Sequence, residues 1–121
     1  MVSIMNLTPH EVRVFSPSGE QWVFPPSGQV ARVAVSRKQS GVIPASAETI
    51  GDVVDGQGCI PVYLPCFGKA ENLPEPERGK VFIVSALVRG AVPHRHDVFS
   101  PGDLRRDEKG QPIGCNGLDG N

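Results

Sequence analysis

The chain has 121 residues, 39% of them apolar and 21% charged, with a formal net charge of −1. That length suits one domain rather than two independent cores, and near-neutrality provides no overall field to draw in nucleic acid or an anionic membrane. Sixteen Val and six Ile outnumber six Leu and two Met, while 14 Gly and 12 Pro cut the chain into short pieces. Branched aliphatics suit a pleated surface and crowd a helix. A helix bundle is excluded, and the expected fold is mainly β (all-β or β-rich α+β): a small barrel or sandwich with one short helix.

In chain order, Ser3 to Leu7 is a short apolar run closed by Thr8-Pro9-His10. Glu11 to Phe15 alternates, with Val12 and Val14 on one face and Arg13 on the other, the period of a half-buried strand. Ser16 to Glu20 is a turn by composition, and Gln21 to Phe24 resumes the extended pattern, so the two runs predict a hairpin. After Pro25-Pro26-Ser27-Gly28, residues Gln29 to Val35 give the clearest alternation in the chain and predict a third strand. Residues 36–58 are less regular. Val42-Ile43 and Glu48 to Ile50 could be short strands, and Gly51 to Gly58 reads as a loop. Cys59 to Phe67 is apolar enough for a buried strand, but Pro61 and Pro65 cannot donate to a ladder, which demotes it to an edge or a bulged strand.

A polar linker with Pro74 and Pro76 leads to Lys80 to Val84, the most strand-like run. Ser85 is placed to cap a short helix over residues 86–92, where Leu87/Ala91 and Val88/Val92 fall at i, i+4 and Pro93 stops the pattern. One continuous strand from Val81 to Val92 is the alternative. His94 to Pro101 is extended or looped, and Leu104 to Arg106 and Gln111 to Cys115 read as two short strands around Glu108-Lys109-Gly110. Residues 1–115 are thus expected to form a single β-rich domain, with 116–121 as a frayed tail.

Charge is unevenly distributed. Glu48 to Glu77 holds six acids and one base, whereas Arg78 to Arg106 holds six bases and two acids. These segments could neighbour and offset one another, or form a basic face for an anion or a head-to-tail contact between subunits. Cys59, Cys66 and Cys115 are an odd set without CxxC spacing, the N-terminus lacks the pattern of a signal peptide, and no run approaches the ~20 apolar residues of a membrane span. A cytoplasmic protein with free thiols, and no membrane association, is expected.

The densest polar group is His94-Arg95-His96-Asp97, followed by Arg105, Arg106 and Asp107. On a strand, His94 and His96 would point the same way, as two metal ligands must. The HxH of cupins continues with a Glu and a later His; neither follows here, and His10 is the only other imidazole. His94 and His96 are therefore weak metal candidates, and no cofactor is expected. Arg95, Asp97, Arg105 and Arg106 admit two readings: ion pairs and turn hydrogen bonds, or recognition of an anionic small molecule or signalling nucleotide by planar guanidinium groups. A zinc site from the three cysteines and a histidine, or a Cys–His catalytic pair, has no supporting spacing. No nucleophile elbow or phosphate-binding glycine loop occurs. The seven aromatics fall mostly in apolar runs, which argues against a nucleic-acid stacking platform.

Four stretches, NLTPHEVRV, FPPSGQVARV, LPEPERGKVFIVSALV and RHDVFSPGDLRRDEKGQPIGC, together resemble a family of small proteins common in bacteriophage and prophage genomes. The recurring elements are Asn6, Thr8, Pro9, Ser27, Gly28, Leu73, Pro74, Gly79, Ser85, Arg95, Asp97, Arg106, Asp107, Gly110 and Gly114. The resemblance covers most of the chain, least well residues 37–68, and implies a shared fold and a phage setting without a mechanism. The expected function is that of a non-enzymatic accessory protein acting on a host protein or by self-association. The rivals are an anion-sequestering protein and a metal-dependent enzyme built on the HxH pair.

Overall fold

The computed structural model describes residues 2–44 and 59–121. The chain is mainly β and divides into two compact units, residues 1–34 with 69–121 and residues 35–68. The predicted strands from Glu48 to Ile50 and loop from Gly51 to Gly58 lie outside the described residues.

The first unit contains β1 (Ser3–Asn6), β2 (Val12–Phe15), β3 (Gln21–Phe24), β6 (Lys80–Ile83), α1 (Ala86–Ala91), β7 (Val98–Pro101), β8 (Leu104–Arg106), β9 (Pro112–Cys115) and β10 (Leu118–Gly120). One sheet runs β1-β6-β7-β10 and another β3-β2-β9-β8. In the first, β1, β6 and β7 are parallel and β10 is antiparallel to β7. In the second, β2 and β9 are parallel and each carries an antiparallel neighbour.

Strand β6 shows why the run after Lys80 is apolar at successive positions: it is buried on both faces. Phe82 and Val84 join Leu7, Ala31, Val88, Val92 and Val98 in one cluster. Ile83, pointing the other way, joins Val12, Val14 and Cys115 in a second. The first cluster binds α1 to the β6 sheet; the second binds the two sheets to each other. Three layers result, with helix outermost and no sheet closing into a barrel among the described residues.

The helix begins as predicted. Ser85 takes an extended conformation and its hydroxyl accepts a bond from the Val88 amide at 3.2 Å. The predicted strand over 29–35 is not formed as such, although its backbone is used. Ala31 N–H donates to Leu7 O, and Arg32 and Glu71 exchange both backbone bonds, so pairing is spent at single points rather than along one edge. The expected frayed tail is instead strand β10, hydrogen-bonded to β7. Beyond it, the Asn121 side-chain amide lies within hydrogen-bond distance of the carbonyls of Arg89, Val92 and Arg95, at and just past the end of α1.

Asn6 ties the two sheets together. It sits in β1 with 2% exposure; its side-chain amide donates to His10 O and to Phe24 O at the end of β3, both at 2.8 Å. Its Oδ1 accepts from the Thr8 amide and hydroxyl, at 2.9 and 2.7 Å, and its backbone carbonyl accepts from Ser27 N–H. Removing the Asn6 side chain strands several groups away from water, and each costs more unpaired than a paired bond contributes. Asn6→Ala should therefore destabilise the protein by about 3 kcal/mol in urea titration, and Thr8→Val by about 1 kcal/mol. An Asn6→Ala loss below about 0.5 kcal/mol, the level of an ordinary surface change, would contradict this role.

Candidate interaction surface

The second unit is a hairpin arm formed by β4 (Val35–Ile43) and β5 (Ile60–Phe67), which pair with each other alone. The sequence predicted Cys59 to Phe67 as a buried strand weakened to an edge by its prolines. The edge character is present; the burial is not. Every residue of β4 is exposed, and in β5 only Cys66 is partly covered.

The register assigns each side chain to a face, because directly opposed residues share one. Val35/Phe67, Arg37/Pro65 and Gln39/Tyr63 lie on the first face, where the Arg37 guanidinium carbon stands 4.0 Å from the Tyr63 ring centroid. Ser36/Cys66 and Lys38/Leu64 lie on the second, continued past a register shift at Ser40 by Gly41/Val62 and Ile43/Ile60. The second face is thus aliphatic along most of its length, and Ile43, Ile60, Val62 and Leu64 are 37–58% exposed. An arm with apolar side chains on both faces and only two strands is marginal in water, and contiguous exposed apolar surface marks a contact site.

The arm's edges are guarded. Ser36 and Ser40 hydroxyls donate to the carbonyls of Cys66 and Val62, so the even-numbered backbone groups of β5 turn toward β4. Pro61 and Pro65 therefore place their nitrogens on the outer edge, which they deprive of donors. The outer edge of β4 carries Arg37, Lys38 and the irregularity at Ser40, all features that discourage strand addition.

The predicted polar cluster separates into local structure. Arg95 donates through Nε and Nη2 to the two Asp97 carboxylate oxygens at 2.8 Å each, and through Nη2 to Pro74 O at 2.9 Å. Both side chains are largely buried. The bond from Arg95 holds the Asp97 carboxyl below its usual range, burial opposing; the same bond raises Arg95. Arg106 donates to Gly110 O and Arg105 stands 4.5 Å from the Phe15 ring, both on β8, whereas Arg95 lies between α1 and β7. The groove that Arg95 and Asp97 line includes Lys80, His94 and His96 but neither Arg105 nor Arg106. Asp107 accepts from the amides of Lys109 and Gln111, closing the β8–β9 turn.

His94 and His96 occupy turns rather than the strand that an HxH ligand pair requires, and His96 Nδ1 lies 3.3 Å from Asn121 O. Among the described residues, no three His, Cys, Asp or Glu side chains gather as a metal site. Cys59 is exposed, Cys66 partly covered and Cys115 buried, with burial pushing the Cys115 thiol above its usual range. Among the described residues, the opposed charge segments meet where Glu77 contacts Lys80 at 3.4 Å and where Glu75 attracts Arg95.

Compared with family models, curated proteins and solved structures, the chain matches none of them.

Because the Asp97 carboxyl titrates lower folded than unfolded, its contribution is present above about pH 4 and is lost as pH falls through the folded value. Asp97→Asn should cost about 1–2 kcal/mol at pH 7, with the wild-type and variant stability curves converging as the pH is lowered below about 4. An undiminished gap at pH 2 would contradict the assignment. In native protein, a thiol reagent should label Cys59 promptly and Cys115 only on unfolding; equal prompt labelling of both would contradict the burial of Cys115.

Proposed function

We propose that this chain is a non-enzymatic interaction protein whose contact element is the β4–β5 arm. The observation that carries the reading is a two-stranded hairpin with apolar side chains exposed on both faces. Exposed Ile, Leu, Val and Tyr at such density raise the free energy of an isolated chain and lower it when a partner excludes water.

The chemistry elsewhere supports binding over reaction. The guanidinium group of Arg95 is spent on Asp97 and a backbone carbonyl, and the Cys115 thiol is buried and disfavoured as a thiolate. Among the described residues, no helix is long and apolar enough to cross a membrane. The phage or prophage setting rests on the resemblance of the four sequence stretches given above. In that setting the arm engages another protein, of the host or of the phage itself.

Photo-crosslinking in expressing cells tests the reading. A photoreactive phenylalanine analogue replacing Tyr63 or Leu64 should give protein adducts, whereas the same analogue at Glu20 or Glu108, in exposed turns, should not. Adducts absent from both arm positions would overturn the proposal.

A further inference from the structure

We infer that Asn116 is a modification site: the backbone nitrogen of Gly117 displaces its side-chain amide, leaving a carboxylate that repels Asp103 and loosens strand β10. The inference concerns the first unit alone and does not rest on the role of the arm.

Asn116 and Gly117 form the turn between β9 and β10. An asparagine holds its side-chain carbonyl carbon, Cγ, next to the following backbone nitrogen, so the two can react within one molecule at high effective concentration. Three features of this turn favour that closure. Gly117 has φ at 106°, and no atom beyond its chain neighbours lies within 4 Å of where a Cβ would stand, so its nitrogen is unshielded. Its N–H donates to no oxygen among the described residues and faces the Cys115 sulfur, a weak acceptor. Asn116 itself is exposed, open to the water that completes the reaction. By contrast, Asn6 and Asn72 are each followed by a leucine, whose side chain crowds the nitrogen, and the Asn6 amide is buried and bonded to two carbonyls.

In the first step the Gly117 nitrogen bonds to Asn116 Cγ as the Cγ–Nδ2 bond breaks. The departing amide nitrogen takes the proton released by the Gly117 N–H and leaves as ammonia. Water then opens the cyclic imide, its hydroxyl going to a carbonyl carbon and its remaining proton to the nitrogen. Opening at Cγ gives aspartate at position 116; opening at the main-chain carbonyl gives isoaspartate, with one extra carbon in the backbone. Water is the only reactant consumed, and base speeds the first step by removing the N–H proton.

Asp103 sets the consequence. Asn116 Nδ2 donates to Asp103 Oδ2 at 3.1 Å, and the Asn116 N–H donates to Asp103 O at 2.9 Å. The Gly102 N–H donates in turn to Gly117 O at 3.0 Å, so residues 102–103 and 116–117 are clasped together. Conversion removes the side-chain donor and sets a second carboxylate against Asp103, where like charges oppose one another. Isoaspartate also lengthens the main chain inside the clasp. Strand β10 follows directly, and its pairing with β7 spans only Leu118 to Gly120. A turn that no longer closes therefore weakens it.

Peptide mass mapping of the full chain after incubation at about pH 6 and about pH 9 tests this. The expected result is the mass increase of an amide-to-acid conversion at position 116, at least about tenfold faster at the higher pH, with Asn6 and Asn72 unchanged. Asn116→Gln, whose closure needs a larger ring, should slow the conversion at that position at least about tenfold. Asn116→Asp should shift the urea unfolding equilibrium, followed by Trp22 fluorescence, about three- to tenfold toward the unfolded chain. Asp103→Asn in that background should recover most of the loss. An Asn116 that persists in the native chain at the higher pH, converting only once urea has unfolded it, overturns the site. An Asn116→Asp chain as stable as wild type, or one that Asp103→Asn does not rescue, overturns the part assigned to Asp103.

Discussion

A single buried amide holds the layers of the first unit in register. Asn6 belongs to a strand of one sheet, yet its side chain donates to the end of β3 in the other and to the loop between them. A buried amide with partners for its oxygen and both its hydrogens is costly to rearrange, since any shift between sheets would leave a donor or acceptor dry. Apolar packing alone lacks this selectivity, because Val12, Val14 and Ile83 would tolerate a slide that Asn6 does not. Among the described residues, no buried side-chain nitrogen or oxygen lacks a partner, so the constraint is met throughout.

Much of this unit was legible because its strands meet a partner on one or both faces in a regular way. Alternation at Val12 and Val14 marked a half-buried strand, and the unbroken apolar run at β6 marked one buried on both sides. Ser85 marked the helix start through its own hydroxyl. Strand β10 was illegible for the complementary reason: Leu118-Asp119-Gly120 has no pattern of its own and is extended because Pro101 and Ser100 of β7 lie beside it. The alternation over 29–35 misled because period two reports available faces, and a strand also needs a continuous edge to bond with.

The polar cluster shows a related limit. Nearness in sequence suggested that Arg95, Arg105 and Arg106 act together, but Arg95 precedes β7 while Arg105 and Arg106 are on β8, where successive side chains leave on opposite faces. The short spacing of Arg95 and Asp97 instead closes an internal ion pair. The arm was missed although its signals were present. A strand apolar on both faces is expected in the middle of a sheet, but Pro61 and Pro65 had already made the middle untenable. Combining those two facts would have predicted an exposed strand.

The reciprocal backbone bonds between Arg32 and Glu71 have a consequence for how this chain can vary. They bring the segments leading into and out of residues 35–68 to one place within the first unit, so the intervening span is, in topological terms, an insertion with its neck already closed. Lengthening or replacing such an insertion adds only a slowly growing loop-closure entropy, while β1 can still pair with β6. Residues 35–68 can thus tolerate change more readily than the scaffold bearing them, one framework accepting different spans without relearning how to fold.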